Sequence, residues 1–216
     1  MLCSPKFPGH KCVGAILGPS IVGRLIRESV ASNCRTISSR ISSAIGEIQF
    51  ISAHLDSSNK PDCFKNSIAE VAQFFEATNR NIVICIDAQT PLGPRVPDED
   101  PWIIGPAVED LNRTARAHSV AEIVQCFQLS VGQTFFQQQS GAFTWVDDHH
   151  QKPPETKDYI LISSNLLNRL EDCQAHWTSA KPSDHRSVRT RIRLQNRKIT
   201  PQTQIPQKTF PKPIGW

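Results

Sequence analysis

The stretch N-I-V-I-C-I-D, Asn81 to Asp87, decides how this chain is read. Its five central residues, Ile82 to Ile86, form the longest uninterrupted apolar run in the sequence, and three of them are isoleucine. A β-branched run of this length, closed by Asp87 and a Pro/Gly-rich loop from Thr90 to Pro97, reads as a strand whose end presents a carboxylate. It is far too short to cross a membrane. Cys85, inside it, is expected in the core.

Further strands fall on either side. Val13 to Leu17 reads as a buried strand closed by Gly18-Pro19, Ile48 to Leu55 as a central strand, and Thr36 to Ser42 as another. Between them and the end of the chain lie Leu129 to Phe136, Ala142 to Val146, Tyr159 to Ile162 and a final alternating segment, Ser187 to Leu194. Helical spacing places apolar residues at 64, 68, 71, 72 and 75, predicting a helix over Phe64 to Ala77 with Asp62 as its cap. Ser119 to Glu122 has the form of a capping box, and Asn165 to Asp172 reads as a short helix. Strands and helices mix throughout, which gives an α/β or α+β fold.

The 216 residues suit one domain, residues 1–194, followed by a Pro-rich, disordered tail over 195–216. The net charge of +4 hides an asymmetry: residues 186–216 carry eight Lys/Arg and no acid, which leaves the preceding body mildly acidic. A basic end of this kind seeks polyanions. Seven cysteines with no C-x-x-C pair argue for reduced thiols and against a disulfide framework or structural zinc. Met1 to His10 does not have the pattern of a signal peptide. An intracellular, or more narrowly nuclear, protein is expected.

Polar residues cluster at the strand ends. Asp87 is followed by Gln89, Asp158 opens a strand, and Ser183-Asp184-His185 precedes the last one. One His with up to three acids suits metal-assisted hydrolysis. Asp147-Asp148-His149-His150 looks like a metal cluster, but adjacent side chains cannot all face one ion, so a solvated loop is the better reading.

Taken in order, I-S-A-H-L (51–55), I-D-A-Q (86–89), T-W (144–145), D-Y-I-L (158–161) and S-D-H-R (183–186) resemble the endonuclease/exonuclease/phosphatase superfamily, above all the endonuclease domain of non-LTR retrotransposons. The resemblance implies a four-layered α/β sandwich, two mixed sheets face to face with helices outside, and Mg2+- or Mn2+-dependent cleavage of phosphodiester bonds in DNA or other nucleic acid. It implies that Asp87 polarises the attacking water, with Gln89 beside it. Asp158 holds His185 against the scissile phosphate, and Asp184 ligates the metal. Thr144 and Trp145 line the substrate groove, and His54 donates to a phosphate oxygen.

The departures are equally specific. Gln89 and His54 stand where the family has Asn and Tyr. The family's upstream Asn and its Q-E motif have no counterpart in Met1 to Cys12, which contains neither Asn nor Glu. A sandwich lacking its first strands, with impaired activity, is therefore expected. The alternatives are a non-catalytic nucleic-acid-binding remnant and a phosphatase of small molecules.

Overall fold

The computed structural model describes residues 2–3, 14–15, 25–33, 35–58, 60–75, 81–108, 113–139, 141–147, 149, 151–176 and 183–194. Both the tail and most of the predicted Val13–Leu17 strand lie outside these residues. Gly14–Ala15 (β2) pairs antiparallel with Leu2–Cys3 (β1).

The central sheet has six strands. β3 (Leu25–Ser32), β4 (Thr36–Ser43) and β5 (Gly46–His54) form an antiparallel meander. The turn between β4 and β5 needs Gly46, whose φ of +99° is a conformation that L side chains rarely adopt. β6 (Ile82–Asp87) lies parallel to β5, and β8 (Asp158–Ser163) runs antiparallel to β6. β7 (Leu129–Val131) closes the far edge, giving the order β3-β4-β5-β6-β8-β7.

Each face of this sheet has its own core. On one face, Ile51, Ala53, Ile84, Ile86, Tyr159 and Leu161 pack against α1 (Pro61–Ala72) and α2 (Ala115–Cys126). On the other, Val83, Ile160 and Ile162 meet Cys173 and Val188 from a second sheet, β9 (Leu170–His176) paired antiparallel with β10 (Ser187–Ile192). Each fully buried Val, Leu or Ile among them contributes roughly 1.5–3 kcal/mol. Two sheets packed face to face, with helices outside, make the expected α/β sandwich.

Several boundaries differ from the sequence reading, each for a local reason. α1 begins at Pro61, whose fixed φ suits a first helical position, so Lys60 rather than Asp62 is the cap. α2 starts one turn before the capping box because Thr114 accepts a bond from the Ala117 amide (3.1 Å) and also meets Thr90 Oγ1 at 2.7 Å. Leu129 to Phe136 breaks after Val131 into a 3₁₀ turn. Ala142 to Val146 is no regular strand; Trp145 alone bridges to Glu155 and His185. Asn165 to Asp172 is one helical turn, α3 (Ser164–Leu167), and then the start of β9.

The outer edge of β9 is closed without a strand. The Gln138 side chain donates to Cys173 O and accepts from Ala175 N, each at 3.1 Å, as a neighbouring strand would. Cys85 departs from its expected place in the core. It is exposed, on the floor of a cleft of about 310 Å³ that Ser52, Ile160 and Val188 also line. β9 and β10 cover Val83 but leave this end of β6 open. Protein still surrounds most of the thiol, and that desolvation pushes it up to about 11.

Candidate active site

Register alone brings three of the expected residues into one row. β5 and β6 pair His54 with Asp87, while β6 and β8 pair Asp87 with Asp158. The C-terminal ends of two parallel strands and the start of an antiparallel one therefore present His54, Asp87 and Asp158 side by side at one rim of the sheet. Backbone bonds from Leu55 N to Asp87 O (2.9 Å) and from Ala88 N to Lys157 O (2.7 Å) extend the ladder past the strand ends.

His185 arrives from the second sheet, two residues before β10. Its Nδ1 lies 2.8 Å from Asp158 Oδ2. That hydrogen bond, aided by the negative charge of Asp158, holds the imidazole pKa above its ordinary value despite partial burial. Asp87, Asp158 and His185 each offer a ligand atom within 4.8 Å of the others, a donor set that could hold a divalent ion. Among the described residues this converging group contains no glutamate.

Asp87 is held closely. Gln89 donates to it twice, from the backbone N to Oδ1 (3.1 Å) and from Nε2 to Oδ2 (2.6 Å), while His54 Nε2 lies 3.6 Å from Oδ2. Gln89 Nε2 is also 3.4 Å from His54 Nε2. Gln89 reaches these positions at a φ of +55°, a left-handed conformation where Asn is several-fold favoured over longer side chains. Burial, and then repulsion from Asp158, raise the Asp87 pKa.

The remaining expected residues sit differently. Asp184 Oδ2 accepts the Trp145 indole N–H at 3.1 Å, and Asp184 is not part of the converging group. Trp145 is half-buried beneath Lys157, whose Nζ lies 3.2 Å from the ring centroid. Thr144, expected to line the groove, is completely buried and has no surface to offer a substrate. In the Asp147–His150 segment, Asp147 caps a turn by accepting from the amides of Gln151 and Lys152.

Two contributors escaped the sequence reading. One is Lys157, whose only signal was a cation adjacent to Asp158. The other is buried Gln133, which brackets the start of β8 by donating to Asp158 O (2.7 Å) and accepting from Ile160 N (2.9 Å).

No family model matches the sequence, and no curated protein matches it. Solved structures do. The endonuclease domain of TRAS1, a telomere-specific non-LTR retrotransposon, superposes with a TM-score of 0.58 at 13% identity, over 86% of this chain and 75% of that one. The chain has the endonuclease/exonuclease/phosphatase fold. Two other structures carry it: the 3′ phosphatase NExo from Neisseria, bound to a product DNA hairpin, and an AP endonuclease from Archaeoglobus fulgidus. NExo matches with a TM-score of 0.53 at 15% identity, over 78% of this chain and 68% of its own. The AP endonuclease matches at 0.50 and 17%, over 73% and 65%.

In this fold the crowded rim has a thermodynamic signature. Because Asp87 binds its proton more tightly folded than unfolded, its contribution to stability falls as pH rises from the ordinary carboxylate range through its raised folded pKa. Asp87→Asn should therefore raise the thermal midpoint near neutral pH by ~2–4 °C, the equivalent of about 1 kcal/mol in a chain this size. The gain should vanish in acid, where wild-type Asp87 is already neutral. Scanning calorimetry at several pH values checks this, and a destabilised variant at neutral pH would refute the crowding.

Proposed function

We propose that this chain hydrolyses phosphodiester bonds in nucleic acid, in the manner of a DNA endonuclease, with help from a divalent cation. The observation that carries this reading is the convergence of Asp87, Asp158 and His185 at one rim, with Asp158 bonded to the His185 ring. Asp87 orients and polarises the attacking water. Asp158 fixes the tautomer of His185, leaving the other ring nitrogen to face the phosphate and stabilise or protonate the charge that develops on it. Asp87 and Asp158 are the carboxylates that would hold the ion, with Asp184 a further ligand by resemblance. When bound, Mg2+ or Mn2+ neutralises phosphate oxygens.

Activity in this reading is weak. Two aspartates and an imidazole are a thin donor set for magnesium, which relies on carboxylates plus substrate phosphates. Gln89 also places its amide one methylene farther out than an asparagine would, and a displacement near 1 Å can cost roughly 10²-fold. The test is nicking of supercoiled plasmid with Mg2+ or Mn2+. Nicking that EDTA abolishes and Asp158→Asn removes is the expected result. Plasmid left intact across both metals would overturn the reading.

A second reading, binding without cleavage, is favoured by the basic character of residues 186–216, in which seven Lys/Arg follow the buried Arg186 and there is no acid. Arg189 and Arg191 stand exposed on β10. Affinity for DNA should fall steeply with salt, and deleting 195–216, which removes Arg197, Lys198, Lys208 and Lys212, should weaken it and flatten the salt slope. Titration by fluorescence anisotropy measures both. An unchanged slope after the deletion would place binding in the body.

A further inference from the structure

We propose that Thr144 is the positioning residue of the candidate site: it holds Asp158 and His185 in register and never touches substrate. This assignment rests on the catalytic reading above, and it reverses the groove-lining role the resemblance implies. Thr144 is fully buried, yet every polar group it owns is engaged. Its Oγ1 accepts from the amides of Lys157 and Asp158, each at 2.9 Å. Its carbonyl accepts from Arg186 N at 2.7 Å, and its own amide donates to Glu155 O at 3.0 Å.

The consequence is geometric. Asp158 opens β8 in the large sheet, while His185 precedes β10 in the small one. No backbone ladder joins those two strands. Thr144 grips the amide of Asp158 with its side chain and the amide next to His185 with its backbone. Trp145 repeats the link one residue on, bridging to His185 and donating its indole N–H to Asp184. Arg186 locks the same segment from the other side, its guanidinium 3.5 Å from the Phe143 ring centroid and donating to Gly141 O. The 2.8 Å contact between Asp158 and His185 is therefore set by a segment that itself stays out of the cleft.

The side-chain oxygen is what the test must isolate. Thr144→Val keeps the shape and deletes the acceptor; Thr144→Ser keeps the acceptor and drops a methyl. Valine should lower kcat roughly 10²-fold with KM nearly unchanged, because a misplaced dyad costs turnover rather than binding. Serine should restore most of the rate.

The decisive readout does not depend on activity. With histidine-¹⁵N protein above the imidazole pKa, the ring shifts of His185, assigned by loss in His185→Gln, report which nitrogen carries the proton. The unsubstituted chain and Thr144→Ser should hold the Nδ1–H form that Asp158 selects. Thr144→Val should relax toward the mixture of a free imidazole. A Val variant that keeps both the Nδ1–H form and full kcat would overturn the proposal. An inert but correctly tautomeric wild type would instead refute the catalytic reading and leave the positioning role standing. Should Thr144→Val not fold, amide exchange on the unsubstituted chain decides. The Lys157 and Asp158 amides must be as protected as that of Arg186, and rapid exchange at either would refute the role.

Discussion

His185→Ala should reduce nucleic-acid hydrolysis by roughly 10³-fold or more while leaving the fold intact, since general acid–base groups contribute about 10²–10⁴-fold. The other imidazole at the rim cannot replace it. His54 belongs to the opposite flank, where its Nε2 lies 3.6 Å from Asp87 and 3.4 Å from Gln89. His185 by contrast is the ring bonded to Asp158. It is also partly solvent-accessible, so alanine leaves no buried cavity to unfold the chain. Single-turnover cleavage of a labelled oligonucleotide, alongside an unchanged thermal midpoint, checks the claim. Cleavage that survives at more than about a tenth of the wild-type rate would move the chemistry to other residues.

Arg113→Ala should cost about 3 kcal/mol of stability, the effect of stranding one partner of a buried ion pair. Glu99 and Arg113 are each 7% exposed at the side chain and bond through both terminal guanidinium nitrogens, with Nη1 to Oε2 at 2.8 Å. The pair staples the long loop between β6 and α2, whose first residues include Gln89. Burial pushes the Glu99 pKa up, but hydrogen bonding and charge from Arg113 prevail and hold it below its ordinary value. The resulting stabilisation is present above the unfolded glutamate pKa and is lost as pH falls through the lower folded one. In Arg113→Ala the dependence should reverse, the variant gaining on acidification as Glu99 takes up a proton. Urea unfolding at neutral and acid pH measures both signs. Equal loss at each pH would mean the pair is not acting through charge.

The parts of the sequence that carried chemistry were also the parts that carried the fold. Asp87, Asp158 and Ser183-Asp184-His185 each mark where a strand stops or starts, so reading them as strand-terminal residues placed β6, β8 and β10 as well as the rim. β3 was missed because Arg27, Glu28 and Ser29 fall in its middle and break any alternation. The helix read over Asn165 to Asp172 takes in Leu166, Leu167 and Leu170, which share a helical spacing, and it overlaps only the first three residues of β9. The structure spends that spacing on one turn of helix and the first residue of a strand.

Within the site, residue identity gave neighbourhood but not exposure. Cys85 looked internal because its neighbours are apolar, yet the second sheet stops short of it. The resemblance makes Thr144 a groove residue, yet pairing of the 144–145 segment with both Glu155 and Arg186 turns it inward. Tertiary contacts from distant segments decide both, and no local pattern encodes them.

The amide of Gln138 at the edge of β9 has a consequence for stoichiometry. It seals one side of the small sheet, while β10 has no described strand on its other side. A sheet with two bare sides can recruit copies indefinitely and grow into a fibre. A sheet with one bare side has a valence of one. If two copies meet through β10, antiparallel and about a two-fold axis, each consumes the other's open side, and growth terminates at a pair. One glutamine side chain thus takes one side of this sheet out of strand-by-strand assembly.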